Sequence, residues 1–270
     1  MVRGGSVGRL DALIFDVDGT LVDTEELHRQ AYNQAFLNFA LGWDWDVDSY
    51  AKLLKVSGGE TRVAHYIDLI DLPPAEKIRL RRLIPAIHNE KTRLYGELMA
   101  SNGVRPRAGV ARLISEAQAA DVRVGLVASS ASANVEALVS SALGNDLRQA
   151  IGAIVCSDMV KRKKPAPDIY ELLLTTLRVS PGAAVAFEDS ANGLLAAKAV
   201  GLYTIVTPNR WTLQQKLDGA DLILPSLGDP DKPLDTASNA VIGASYLDLA
   251  TLESLRAMST PVAKLSNVAT

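Results

Sequence analysis

An unbroken apolar run, Leu13-Ile14-Phe15, stops at Asp16-Val17-Asp18-Gly19-Thr20. A short apolar run closed by a glycine turn has the pattern of a buried strand. From Glu25 the period changes. Leu27, Ala31 and Ala35 recur at helical spacing with Phe39 on a neighbouring row, which predicts a helix over 25–41 and a stop at Gly42. Further helices follow over 47–55, 60–70, 74–84 and 85–99, with Pro73-Pro74 marking a break. No strand signal interrupts this stretch. Residues 24–103 therefore read as a helical domain inserted into a core built from 1–23 and 104–270.

Beyond Gly109 the pattern alternates. Helices over 110–119, 133–143, 168–177 and 191–200 are interleaved with short apolar strands over 122–128, 151–155, 184–187, 203–206 and 222–224. Such alternation predicts an α/β fold, a Rossmann-like doubly wound parallel sheet with helices on both faces. In these sheets the ligand lies beyond the carboxyl ends of the strands. The polar residues of interest all fall there: Asp16 and Asp18, Ser129 and Ser130, Lys164, and Glu188 with Asp189. The Asp- and Pro-rich stretch 228–243 reads as irregular, 246–258 as an amphipathic segment packed back on the core, and the last dozen residues as a loose tail.

Composition narrows the function classes. The chain has 270 residues, 48% hydrophobic and 22% charged, with formal net charge −3. That is the composition of a soluble globular protein, expected to be a monomer, and its mild acidity argues against general nucleic-acid binding. No apolar run approaches the roughly 18 residues of a membrane span. The single cysteine, Cys156, has no internal disulfide partner; following Ile154-Val155, it reads as a buried strand thiol in a reducing compartment. The opening ten residues lack the apolar region of a secretory signal and read as the remnant of a removed transit segment or of cloning.

Asp16 and Asp18 carry the densest chemistry. Acids on alternate positions of a strand end project to one side, so both can face one substrate, one as nucleophile and one as proton donor, with Mg²⁺ as a third party. A calcium loop would need glycine at position six and a glutamate at twelve; counted from Asp16, Gly19 falls at four, which excludes it. Plainer readings stand beside each further motif. Asp-Gly is a turn former, Glu188-Asp189 suits a helix N-terminus, Ser129 suits an N-cap, and Lys161 to Lys164 form a basic run.

Taken together, the Asp16–Thr20 string, Ser129-Ser130, Lys163-Lys164-Pro165-Ala166-Pro167-Asp168 and Glu188-Asp189-Ser190-Ala191-Asn192-Gly193 resemble the haloacid dehalogenase superfamily of phosphatases and phosphomutases, over residues 10–231. With the stretch from Leu53 to Arg62 and Leu227-Gly228-Asp229-Pro230, the chain looks most like the CbbY-type phosphatases of photosynthetic organisms. The resemblance implies that Asp16 attacks phosphorus to form an aspartyl phosphate and that Asp18 is acid and base. It implies Mg²⁺ held by Asp16, the Asp18 carbonyl and Asp189, with Glu188 in support. Ser129 and the amides of Ser130 and Ala131 would bind the phosphate, which Lys164 also reaches. Lys161, Arg162 and Lys163 are left as solvated surface.

By the same resemblance the inserted domain is a mobile cap, with Trp43 and Trp45 in its core. Glu25, His28, Lys55, Arg62 and Lys91 are its candidate substrate residues, while Glu60 stands where CbbY-type relatives would carry a base. The implied activity is a Mg²⁺-dependent phosphatase of a small sugar phosphate, xylulose 1,5-bisphosphate first, in a plastid stroma or bacterial cytoplasm. A β-phosphoglucomutase-like enzyme and a non-catalytic binding protein of the same fold are the alternatives.

Overall fold

The computed structural model describes residues 9–259. The remnant expected before Arg9 and the tail expected after Ser259 lie outside the described residues. Strand β1 (Ala12–Asp16) occupies the middle of a parallel sheet, flanked by β2 (Arg123–Ala128) and β4 (Ala184–Glu188). With β3 (Ile151–Cys156), β5 (Tyr203–Val206) and β6 (Leu222–Ile223) the order is β3-β2-β1-β4-β5-β6. The order reverses between β1 and β4, where doubly wound sheets open a ligand crevice.

The strands sort their side chains with period two. Leu13 and Phe15 enter a cluster shared with α5 (Val110–Ala119), α6 (Ser132–Ala150) and α10 (Leu249–Ser259). Ala12 and Ile14 enter a second cluster, under α7 (Asp168–Leu177) and α8 (Ala191–Ala199). Asp16 shares the parity of Ala12 and Ile14, so its carboxylate faces the side from which the loop before α7 arrives. Phe15 and Phe187 are register partners whose rings stack at 4.5 Å, closing the sheet against water just below the strand ends.

Between β1 and α5 lie α1 (Glu25–Asn38), α2 (Val47–Leu53), α3 (Gly59–Leu69) and α4 (Pro74–Asn102). They gather around their own apolar cluster, which includes Tyr32, Phe36, Trp45, Tyr50, Ile67 and Ile87, with Trp43 packed against it.

The structure corrects several boundaries. The helices read as 74–84 and 85–99 are one: α4 runs through Pro85. Proline removes one hydrogen bond, but the buried stripe Leu80, Ile84, Ile87, Tyr95 and Met99 continues past it on one side, and that burial prevails. Helix α1 ends at Asn38 rather than 41. Leu41 N–H reaches Phe36 O and Ala40 N–H reaches Leu37 O, a Schellman closure with Ala40, not Gly42, at the left-handed position (φ 52°). Helix α6 runs to Ala150, past the expected end at 143, with a break in helical geometry at Gly144. The stretch read as irregular contains α9 (Thr236–Ile242), capped by the Asp235 carboxylate accepting from Ser238 N–H. Segment 246–258 does form the docked helix α10, with Leu252 buried in the main core. Among the described residues no helix is long and apolar enough to cross a membrane.

Candidate active site

A cavity of about 390 Å³ lies beyond the carboxyl ends of β1 and β4, floored by the sheet loops and roofed by the inserted helices. Register places the end of β1 beside the end of β4, so Asp16 and Glu188 meet without any long-range search by their side chains. Lys164 Nζ bridges them, donating to Asp16 Oδ1 at 2.7 Å and to Glu188 Oε1 at 2.5 Å. Tyr170 O–H donates to the same Oε1. Asp16, Glu188 and Asp189 each bring a carboxylate oxygen within 4.8 Å of the others, all buried.

Three buried carboxylates against one ammonium leave an excess of negative charge. Burial pushes the Asp16 carboxyl well above its ordinary value, with Lys164 opposing and Glu188 and Asp189 adding to the rise. Burial likewise pushes Asp189 up to about 8, with Glu188 the next cause. The charges of Asp16 and Glu188 outweigh desolvation at Lys164 and raise its pKa. Glu188 Oε2, buried, has no hydrogen-bond partner. An orphaned carboxylate oxygen beside two further acids is the donor set a hard divalent cation requires, so these residues fit Mg²⁺.

The glycine after the acids is required by space as well as by backbone. Gly19 has φ +94°, and a Cβ there would lie 2.4 Å from Asp189 Oδ2. Gly193 is demanded by space alone: its Cβ would overlap the Glu188 carboxylate.

Asp18 faces the inserted helices. Its Oδ1 accepts from Thr24 Oγ1 at 2.8 Å and faces His28 Nε2 at 3.2 Å, and its Oδ2 accepts from Ser130 Oγ at 2.7 Å. Burial alone would raise this carboxyl; the His28, Ser130 and Thr24 hydrogen bonds overcome it and hold the group well below the usual carboxylate range. His28 is itself pushed down by burial and by the Lys91 charge. Lys91 Nζ lies 2.7 Å from His28 Nδ1. The ammonium can only donate, which assigns the neutral ring with its proton on Nε2, toward Asp18. Burial brings Lys91 down to about 8, and its ammonium sits over the Tyr32 and Tyr95 rings at 5.1 and 4.9 Å.

Ser129, Ser130 and Ala131 line the cavity just ahead of α6, where Ala131 is the N-cap residue and the first amide of the helix, Ser132 N–H, donates to Asp158 Oδ2 at 3.2 Å. An anion held beside Ser130 and Ala131 would meet the positive end of that helix. Glu25 and Arg62 also line the cavity: Glu25 Oε2 accepts from Tyr50 O–H at 2.9 Å, and Arg62 donates to Tyr50 Oη and Leu53 O. Lys55 is the exception among the candidates. Its side chain is exposed and does not line the cavity, because α2 has ended and the chain presents only its backbone there, Lys55 O accepting from Asn192 Nδ2 at 3.1 Å.

Lys163 is exposed, as the sequence reading had it, and it also lines the cavity, with Nζ close enough that a Cβ on Gly58 would meet it at 3.2 Å. Arg162 turns outward to Asp168. His88, Asn134 and Asp158 complete the wall and carried no motif signal of their own. Tyr170 was legible only as the end of the string that runs on from Lys-Pro-Ala-Pro-Asp through Ile169.

Comparison with known proteins places this geometry. A family model described as haloacid dehalogenase-like hydrolase matches residues 10–201. The chain is 44% identical to the plasmid-encoded protein CbbY of Cupriavidus necator over 225 residues, 83% of this chain and 89% of that one. It superposes on the crystal structure of a CbbY mutant from Rhodobacter sphaeroides in complex with xylulose-(1,5)bisphosphate with TM-score 0.73 and 42% identity, covering 80% of this chain and 94% of that one. A putative β-phosphoglucomutase from Thermotoga maritima matches at 26% identity and TM-score 0.57, over 80% and 94% of the two chains.

Proposed function

The chain belongs to the haloacid dehalogenase-like hydrolases, and from that premise we propose that it is a Mg²⁺-dependent phosphatase of small sugar phosphates, with xylulose 1,5-bisphosphate as substrate. The observation that carries this reading is the convergence of Asp16, Lys164, Glu188 and Asp189 at the strand-order reversal. Residues 24–103 are taken as the cap over a core of 1–23 and 104–270.

In this reading Asp16 attacks phosphorus in line, forming an acyl phosphate as the phosphorus–oxygen bond to the sugar breaks. Asp16, Asp189 and the Asp18 carbonyl, with Glu188 in support, would hold Mg²⁺, which would supply charge neutralisation between the nucleophile and the phosphate dianion. Lys164 keeps the Asp16 carboxylate charged and aimed, and its ammonium stands beside the reacting oxygens. Ser129 and the amides of Ser130 and Ala131 bind the transferring group. Asp18 gives a proton to the leaving alkoxide and then takes one from the attacking water. Held charged by three donors, it is poised in the free protein for the second of these steps.

A bisphosphate leaves a second dianion away from the nucleophile. Arg62 and Lys91 from the cap and Lys163 from the core put cations on the cavity wall for it, and guanidinium suits a phosphate well. The relative bound to xylulose-(1,5)bisphosphate supports the same substrate. The buried thiol of Cys156 suits the reducing interior of a stroma or bacterial cytoplasm.

A phosphate-release screen with Mg²⁺ over a panel of sugar phosphates tests the proposal. Asp16→Asn is expected to abolish release from every ester; retained turnover by that variant would sink the nucleophile assignment. The likeness to the Thermotoga maritima protein favours a mutase as the second reading. Glucose 6-phosphate formed from β-glucose 1-phosphate and a trace of bisphosphate, without net phosphate release, would decide for it.

A further inference from the structure

The loop after β5 reaches both the cation site and the cap. Asn209 is buried and saturated: its N–H donates to Thr212 Oγ1, and its Oδ1 accepts from Trp211 N–H at 2.8 Å and from Thr212 Oγ1 at 3.3 Å. With Oδ1 facing two donors, the amide has one orientation, and Nδ2 must face the other way. There it donates to Asp189 Oδ2 at 2.9 Å and to Gly19 O at 3.3 Å. Arg107 holds the same carbonyl of Gly19, at 2.6 Å, and the Thr207 carbonyl at the base of the loop.

The next two residues leave the core. Trp211, 3% exposed, sits in the apolar cluster of the cap and meets Tyr50 edge-to-face at 5.5 Å. Arg210 lies over the Trp211 ring and pairs with Glu26 of α1 at 3.0 Å. One short loop thus carries a group hydrogen-bonded to Asp189 and an aromatic ring embedded among the inserted helices.

We propose that Asn209 is a positioning residue for Asp189, and that through Trp211 its loop couples the packing of the cap to the cation site. The inference rests on the reading of Asp189 as a cation ligand. The Asn209 amide fixes one carboxylate oxygen of Asp189 and so sets how that carboxylate presents itself to the cation. The loop keeps its conformation because Trp211 is anchored in the cap; neither Asn209 nor Trp211 touches the cation or the substrate. Partners of metal ligands of this kind alter affinity by about 10- to 100-fold when removed, and coupling through a packed element is worth about 2- to 30-fold.

Direct Mg²⁺ titration by calorimetry on the intact protein, alongside melting temperature, tests the proposal. Asn209→Ala is expected to weaken Mg²⁺ binding about tenfold or more, and Trp211→Ala at least about twofold, although Trp211 lies outside the cation's reach. Asp189→Asn is the control and is expected to lose binding. If wild-type protein binds no Mg²⁺, or Asp189→Asn binds it unchanged, the cation site itself is wrong. If that control behaves as expected while Asn209→Ala melts earlier but binds Mg²⁺ like wild type, Asn209 is structural and the positioning role is overturned. Wild-type affinity in Trp211→Ala overturns the coupling. Should either alanine variant fail to fold, Asn209→Ser, too short to reach Asp189, and Trp211→Leu take their places with the same expected outcomes.

Discussion

At the scale of single residues the site is organised by buried charge. Lys91 titrates near 8 because burial penalises its ammonium. Its folded value lies below its unfolded one, so between about pH 8 and 10.5 the unfolded chain binds more protons, and stability rises with pH across that window. Lys91→Met is expected to abolish that rise in a pH series of denaturant melts and to be more stable at pH 7, by an amount on the order of 2 kcal/mol. Activity should move the other way. If the Lys91 cation holds a distal phosphate, KM climbs as pH passes 8 in the wild type, and Lys91→Arg removes that limb. Asp18 has the opposite signature: its folded pKa is depressed, so it stabilises above pH 4 and the contribution is lost as pH falls through the lower folded value.

Most of these residues were legible in the sequence, because acids and a lysine at strand ends stand out against apolar runs. Lys163 was legible only in part: it is exposed, as the basic run implies, and nothing along the chain shows that it also lines the cavity beside Lys164. Asn209 carried no signal at all, since its role comes from a hydrogen bond across the sheet rather than from a pattern along the chain.

At the scale of elements, the six strands follow from alternation of apolar runs with helical periodicity, and the structure has them all, in an order that the alternation does not specify. What failed were helix ends, where punctuation residues misled. Pro85 was read as a break, yet it sits within a stripe that stays buried. Pro85→Ala restores an N–H and removes a clash, and it is expected to raise stability by about 1–3 kcal/mol in thermal melts without altering turnover. Ala40 holds a left-handed φ of 52° on an exposed turn, a conformation that costs a residue with a Cβ roughly 1–2 kcal/mol. Ala40→Gly should recover about 1 kcal/mol or somewhat less, because glycine is freer when unfolded; a lower melting temperature would show that the closure of α1 is not strained.

At the scale of the whole molecule, the sheet loops and the inserted helices share one cavity and one excess of negative charge. Bringing Asp16, Glu188 and Asp189 together opposes folding until a cation joins them. Mg²⁺ at a hundredfold excess over its Kd is expected to stabilise the fold by about 2.7 kcal/mol, seen as a rise of several degrees in melting temperature that a chelator reverses. Asp189→Asn relieves part of the repulsion and should flatten this response; an undiminished Mg²⁺-dependent shift in that variant would place the cation elsewhere. The lone thiol offers a separate window on the same molecule. Cys156 ends β3, the outermost strand on its side of the sheet, and burial pushes its pKa up to about 11. A maleimide dye therefore has to wait until that border strand peels away, and the labelling rate at neutral pH becomes a built-in clock for how often the sheet frays.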